Sequence, residues 1–274
     1  MSSVALPYTL LILLVEFTIG GLWVLVLSQA RGQAAASFVK FGAVQTVVTA
    51  LITFWIAAEV NIGHVVDGYK LDPSWMNEAR WALAAVFALS TLYAAATLRG
   101  QRRLALALGG AASVAGLLAV GCFAQVFSVP TWGFALTFAS LVIGGLAVGA
   151  VSMGMTLGHW YLVTPRLPEQ PLREMTGFLL AVMALQAVLI GLAVVLPHDK
   201  VLSSIHTPLL QNPFFWMRVG IGLAFPALLV WMAYDSSGVR AMQSATGLLY
   251  IAMALVLSGE IVGKGLMLVS GVPN

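Results

Sequence analysis

Apolar residues in this chain run in long unbroken stretches. They neither alternate, as in a half-buried strand, nor recur on one face only, as in a surface helix. Eight stretches reach the roughly 20 residues that a helix needs to cross a bilayer core of about 30 Å. They cover approximately residues 6–29, 38–60, 79–98, 104–127, 132–162, 172–196, 214–234 and 241–270. The fifth and eighth are long enough to tilt or protrude. Pro130, Pro165, Pro168, Pro171, Pro197, Pro208 and Pro213 fall between the stretches, where chain breaks belong. Pro226 falls inside the seventh and predicts a kink there. The fold class is therefore all-α: one polytopic membrane helix bundle of about eight transmembrane helices over residues 1–274, with no domain boundary.

Composition supports lipid as the solvent for most of the surface. Hydrophobic residues make up 60% of the chain and charged residues only 8%, against about a quarter in a soluble domain. The formal net charge of +3 thus points to no nucleic-acid partner. It reflects basic residues placed in loops, where they set topology. The loops after helices 1, 3, 5 and 7 hold eight of them: Arg31, Lys40, Arg99, Arg102, Arg103, Arg166, Arg173 and Arg240. The intervening loops hold four: Lys70, Arg80, Lys200 and Arg218. The odd loops are expected to be cytoplasmic and both termini outside. The N-terminus lacks a basic region, so a cleavable signal peptide is not expected. Small residues four apart, Gly145/Gly149, Gly154/Gly158 and Gly259/Gly263, predict close helix packing. No repeat is evident.

The single cysteine, Cys122, excludes an internal disulfide, a Cys-based metal site and a c-type haem attachment signature. A haem b between helices needs two axial ligands at matching depth. The four histidines stand at 64, 159, 198 and 206, none of them in a helix core, so no haem is expected in this chain. No metal ligands are evident. Gly-x-Ser-x-Gly and His-Glu-x-x-His are both absent, against a hydrolase.

Ionisable residues inside the spans carry the candidate chemistry, because they are costly there. Glu16 lies near the middle of helix 1 and is either a proton carrier or a neutral acid bonded to a neighbouring helix. Glu260 and Lys264 lie four apart on helix 8 and share a face. They either neutralise one another or line a polar pocket in the outer part of the bilayer. Outside the spans, His64 follows Glu59 after helix 2, and Asp67, Asp72 and Glu78 lead to helix 3. A His beside carboxylates at a membrane surface suits proton release from a hydroxylated ligand, though the same residues also suit a plain solvated loop. His198 and His206 read as surface residues. His159, in Gly158-His159-Trp160-Tyr161, reads as part of an interfacial aromatic belt.

Eight helices, outer termini, and an outer loop with His64 after helix 2 and Glu78 before helix 3 resemble the membrane anchor subunits of molybdopterin oxidoreductases (the DMSO reductase anchor and polysulfide reductase NrfD-like family). Gly259-Glu260-Ile261-Val262-Gly263-Lys264 resembles the family's Glu-x-x-Gly-Arg pattern, with Lys264 in the place of the arginine. The resemblance implies a haem-free subunit of an electron-transfer complex in a bacterial inner membrane, binding a quinone (menaquinone or ubiquinone). It implies that His64 and Glu78, or Glu59, accept quinol protons. Glu16, Glu260 and Lys264 would line the pocket or a proton route. Electrons would pass to a partner carrying an iron–sulfur or cytochrome centre. Two other expectations stand beside it: a small ion or weak-acid transporter gated by Glu16 and the Glu260–Lys264 pair, and a structural subunit without a site.

Overall fold

The computed structural model describes residues 5–66, 69–128, 133–164, 167–195 and 209–270. Eight helices are long and apolar enough to cross a membrane. They are α1 (Ala5–Arg31), α2 (Ala36–Glu59), α3 (Met76–Leu98), α4 (Arg102–Val126), α5 (Gly133–Val163), α6 (Gln170–Val195), α7 (Pro213–Gly238) and α8 (Met242–Ser270). Their limits fall within four residues of those read from hydropathy. Proline and capping residues sharpen them: Asn212 accepts from the Phe214 N–H with Pro213 at the first helical position. Gly32 and Gly100 turn the chain at φ 73° and 74°, where a side chain would be strained.

The helices form two rings of four. In the first, α1 packs on α2, α2 on α3, α3 on α4, and α4 returns to α1. In the second, α5, α6, α7 and α8 close in the same order. Each ring starts from the same end of the bundle, so the up-and-down sense is shared. No sequence repeat announces this arrangement. It follows from each helix packing antiparallel on its neighbour in sequence. The rings meet chiefly through α1 and α5, with α8 also against α1 and α4 against α5.

Glycine makes the junction possible. A Cβ on Gly20 would overlap the Gly145 carbonyl, and one on Gly149 would overlap the backbone of Gly20 and Gly21. The two backbones therefore touch directly, the close approach expected at Gly145/Gly149. A second such crossing joins Gly222 of α7 to Gly259 of α8. Gly158 makes room instead for the Thr246 side chain of α8.

At the end holding Ala5 and Ser270, the connection from α2 to α3 is strapped down. Tyr8 donates its hydroxyl to the Asn61 carbonyl and accepts the Gly63 N–H. A two-stranded ribbon pairs β1 (Val65–Val66) with β2 (Tyr69–Lys70). The Asp72 N–H donates to the Val126 carbonyl at the end of α4. Arg80, assigned to a loop by its sequence position, lies in α3 and donates to the carbonyls of Ala57 and Val60, closing the C-terminus of α2.

Candidate functional site

Four ionisable side chains meet inside the bundle. Glu16 comes from α1, Arg218 from α7, and Glu260 and Lys264 from α8. Their exposures are 1%, 1%, 0% and 0%. The Lys264 ammonium lies 2.9 Å from Glu16 Oε1 and 3.6 Å from Glu260 Oε2. The Arg218 guanidinium donates through Nη2 to Glu260 Oε1 at 2.8 Å. Gln186 of α6 donates to the same oxygen at 2.6 Å, and Lys264 donates to the Ser140 hydroxyl of α5 at 3.3 Å. Gly144 makes room for both acids: a Cβ there would sit 2.5 Å from Glu16 Oε1 and 3.1 Å from Glu260 Oε2.

All of this lies well below the ends of the helices. At 1.5 Å per residue, Glu16 is about 16 Å from the start of α1, and Lys264 about 9 Å from the end of α8. Two carboxylates and two cations balance when all four are ionised. That balance is what makes the burial tolerable, since an unpaired charge at this depth costs several kcal/mol. The two acids are not held alike. Glu260 Oε1 receives two hydrogen bonds and its other oxygen faces Lys264. Glu16 is in contact with Lys264, and its Oε2 is buried without a hydrogen bond, as is Glu260 Oε2.

The sequence reading brought Glu16, Glu260 and Lys264 forward, and the structure brings all three together. It missed Arg218, which was counted as a loop residue. That placement is corrected: Arg218 sits in the first turns of α7, fully buried. The available signal was Pro226. Proline has no N–H, so the carbonyl four residues before it, Gly222, loses its helical donor. The chain answers with a π turn over Gly220–Ala224, and Arg218 Nη1 donates to the Gly222 carbonyl at 3.4 Å. The proline thus produces a wide turn and an orphan acceptor, and both hold the guanidinium toward Glu260. Gln186 and Ser140 were missed because polar uncharged residues in apolar helices carry no sequence signal of their own.

Gln186→Leu tests the polar shell. It removes a donor to a charged acceptor and leaves the rest of the tetrad. Reversible unfolding in detergent is expected to fall by about 1.5–3 kcal/mol; an unchanged midpoint would show that Gln186 contributes nothing to holding Glu260.

The residues at the surface behave differently. His64, Glu59 and Glu78 are all exposed, and no hydrogen bond or ion pair joins them to one another among the described residues. In the same connection the Ser74 hydroxyl and N–H hold the Asp72 carboxyl below the usual aspartate range, with His64 a lesser favourable neighbour. Asp67, His198 and His206 lie outside the described residues. His159 is exposed at the opposite end of the bundle, with Nδ1 3.1 Å from the Tyr250 hydroxyl. Trp160 beside it donates to the Ser37 hydroxyl and so joins α5 to α2. Among the described residues, no three His, Cys, Asp or Glu side chains cluster as a metal site.

The fold and this site define a class: an all-α, multi-pass membrane bundle with a buried, charge-balanced tetrad beside the junction of two four-helix rings. The sequence matches no protein-family model and no curated protein.

Proposed function

We propose that the chain is the haem-free, quinone-binding membrane subunit of an electron-transfer complex in a bacterial inner membrane. One observation supports this above the others: a carboxyl held by a single cation, deep in the bundle, with one oxygen free of any donor. Oxidation of a quinol yields two electrons and two protons. In this reading the electrons pass to a partner subunit with an iron–sulfur or cytochrome centre. Protons require a base out of bulk water, and Glu16 is that base. Its Oε2 is an orphaned buried acceptor, which a hydroxyl group from menaquinol or ubiquinol satisfies.

The other members of the tetrad have distinct tasks. Glu260 is held by Arg218 and Gln186 and is the second acid facing Lys264. Lys264 orients Glu16 and stabilises its carboxylate, giving up little when Glu16 is protonated because Glu260 remains beside it. His64, Glu59 and Glu78 stand on the surface at the same end, where a released proton reaches water. Tyr8, which fixes Gly63 beside His64, lies about 12 Å above Glu16 on α1.

The complex isolated from native membranes with Glu16→Gln is expected to keep its subunits and lose at least about tenfold in quinol-dependent electron transfer, one pKa-scale unit of proton-transfer driving force being worth that factor. Isolation of wild-type protein without quinone and without a redox partner sinks the reading. The second reading, an ion or weak-acid transporter, draws on one feature. Two rings of the same sense meet beside a charged site, as in transporters built from parallel repeats. Flux in liposomes by the chain alone, lost in Glu16→Gln, would favour it.

A further inference from the structure

The end of the first ring opposite the tetrad is basic and has no acid of its own. Between Phe17 and Ala58, and again between Ala79 and Ser128, the sequence contains no Asp or Glu. Arg31, Lys40, Arg99, Arg102 and Arg103 crowd the two tight turns there. Arg31 finds a partner across the junction in Glu174 of α6, at 2.7 Å. In the second ring, Arg240 likewise pairs with Glu169. Lys40, Arg99, Arg102 and Arg103 have no acidic partner among the described residues.

Between these turns lies a pocket of about 320 Å³, lined by Gln29, Gly32, Lys40, Thr97, Gly100 and Arg102, among others. It is built rather than incidental. Arg102 Nη2 donates to the carbonyls of Gln29 and Ala30 at the end of α1, which fixes the guanidinium. Gly32 lets it approach, since a Cβ there would stand 2.8 Å from the same nitrogen. Two further polar groups line this region. Thr97 is 6% exposed, with its hydroxyl beside that of Tyr93 one turn earlier in α3. The Gln29 side-chain oxygen is buried without a hydrogen-bond partner, and a half-turn of that amide would present its N–H groups instead.

We infer that this pocket binds the phosphodiester headgroup of an anionic phospholipid. A phosphate oxygen accepts from the Thr97 hydroxyl and the Gln29 amide, while Lys40 and Arg102 neutralise its charge. A lipid is favoured over a soluble anion because the pocket opens beside lipid-facing apolar surface. Phe41, next to Lys40, is 49% exposed, and Leu98, next to Thr97, is 50% exposed. An acyl chain therefore has a wall to lie on where the headgroup ends. The basic-loop count places this end on the cytoplasmic side, the leaflet where anionic headgroups attract basic residues. The site is independent of the redox reading.

Titration of delipidated full-length chain with mixed micelles tests it. Phosphatidylglycerol is expected to bind in preference to phosphatidylcholine, and Lys40→Gln to cut that preference roughly tenfold, the loss of one charge-assisted contact. Thr97→Val, which removes only the hydroxyl, is expected to reduce it by a smaller factor with helix content unchanged. Equal binding of the two lipids by wild type, or a preference untouched by both substitutions, overturns the proposal. Displacement of phosphatidylglycerol by millimolar inorganic phosphate overturns the lipid assignment and leaves a soluble phosphate compound as the ligand.

Discussion

Lys264→Met is expected to destabilise the chain by about 3–5 kcal/mol, the cost of removing one partner from a buried ion pair. Among the described residues Lys264 is the cation in contact with Glu16, and it faces Glu260 as well. Without it the site holds two carboxylates against one guanidinium. One acid must then take up a proton or draw water into the bundle, and either outcome disturbs five helices at once. The effect should depend on Glu16. In the Lys264→Met/Glu16→Gln double variant the charge balances again, with Glu260 on Arg218, so most of the lost stability is expected to return. A double-mutant cycle from reversible unfolding in detergent or bicelles measures this coupling directly. Additive losses would mean that the two residues do not depend on each other, and the tetrad would then be a structural coincidence.

The same substitution separates stability from function. If the tetrad serves proton transfer, the double variant should be folded and inactive in quinol-dependent electron transfer. If it serves only to latch α1 to α8, the double variant should be folded and as active as wild type. Charge balance is restored in both cases, whereas a base able to accept a proton is restored in neither.

Hydropathy sufficed for the helices because an apolar solvent forces every backbone group into intrachain pairing, so length and polarity alone locate the spans. It also pointed to Glu16, Glu260 and Lys264, because a charge retained in oil stands out against its neighbours. Arg218 failed to stand out for a specific reason. It lies five residues from Pro213, close enough to a helix end to pass as a loop cation, and only its burial against Glu260 shows that it faces inward. The two-ring arrangement was not legible either. It depends on which faces of α1 and α5 touch, and Gly20 and Gly145 decide that by what they lack. Nor did adjacency in sequence join His64, Glu59 and Glu78: all three are exposed, and no hydrogen bond or ion pair links them among the described residues.

That reliance on bare backbone leads to a sharp contrast between neighbouring positions. Gly20→Ala and Gly21→Ala change the same atoms in the same helix, and both gain helix propensity of up to about 1 kcal/mol. Their surroundings differ. At Gly21 a Cβ would stand 3.3 Å from the terminal methyl of Met153, a flexible group that can turn aside. At Gly20 it would overlap the Gly145 carbonyl, part of a rigid helix. Relief there requires α1 and α5 to separate, and with them the two rings, since these helices form most of the junction. Gly21→Ala is accordingly expected to match or slightly exceed wild-type stability. Gly20→Ala is expected to lose more than the 1–3 kcal/mol or so typical of overpacking, seen as a lower melting point and loss of a monodisperse peak in detergent. Separation of the rings would also draw Glu16 away from Lys264, so the loss at Gly20 should shrink when Glu16 and Lys264 are already Gln and Met. If instead Gly20→Ala proves as benign as Gly21→Ala, α1 and α5 do not cross backbone to backbone, and the position of Glu16 against α8 falls with that crossing.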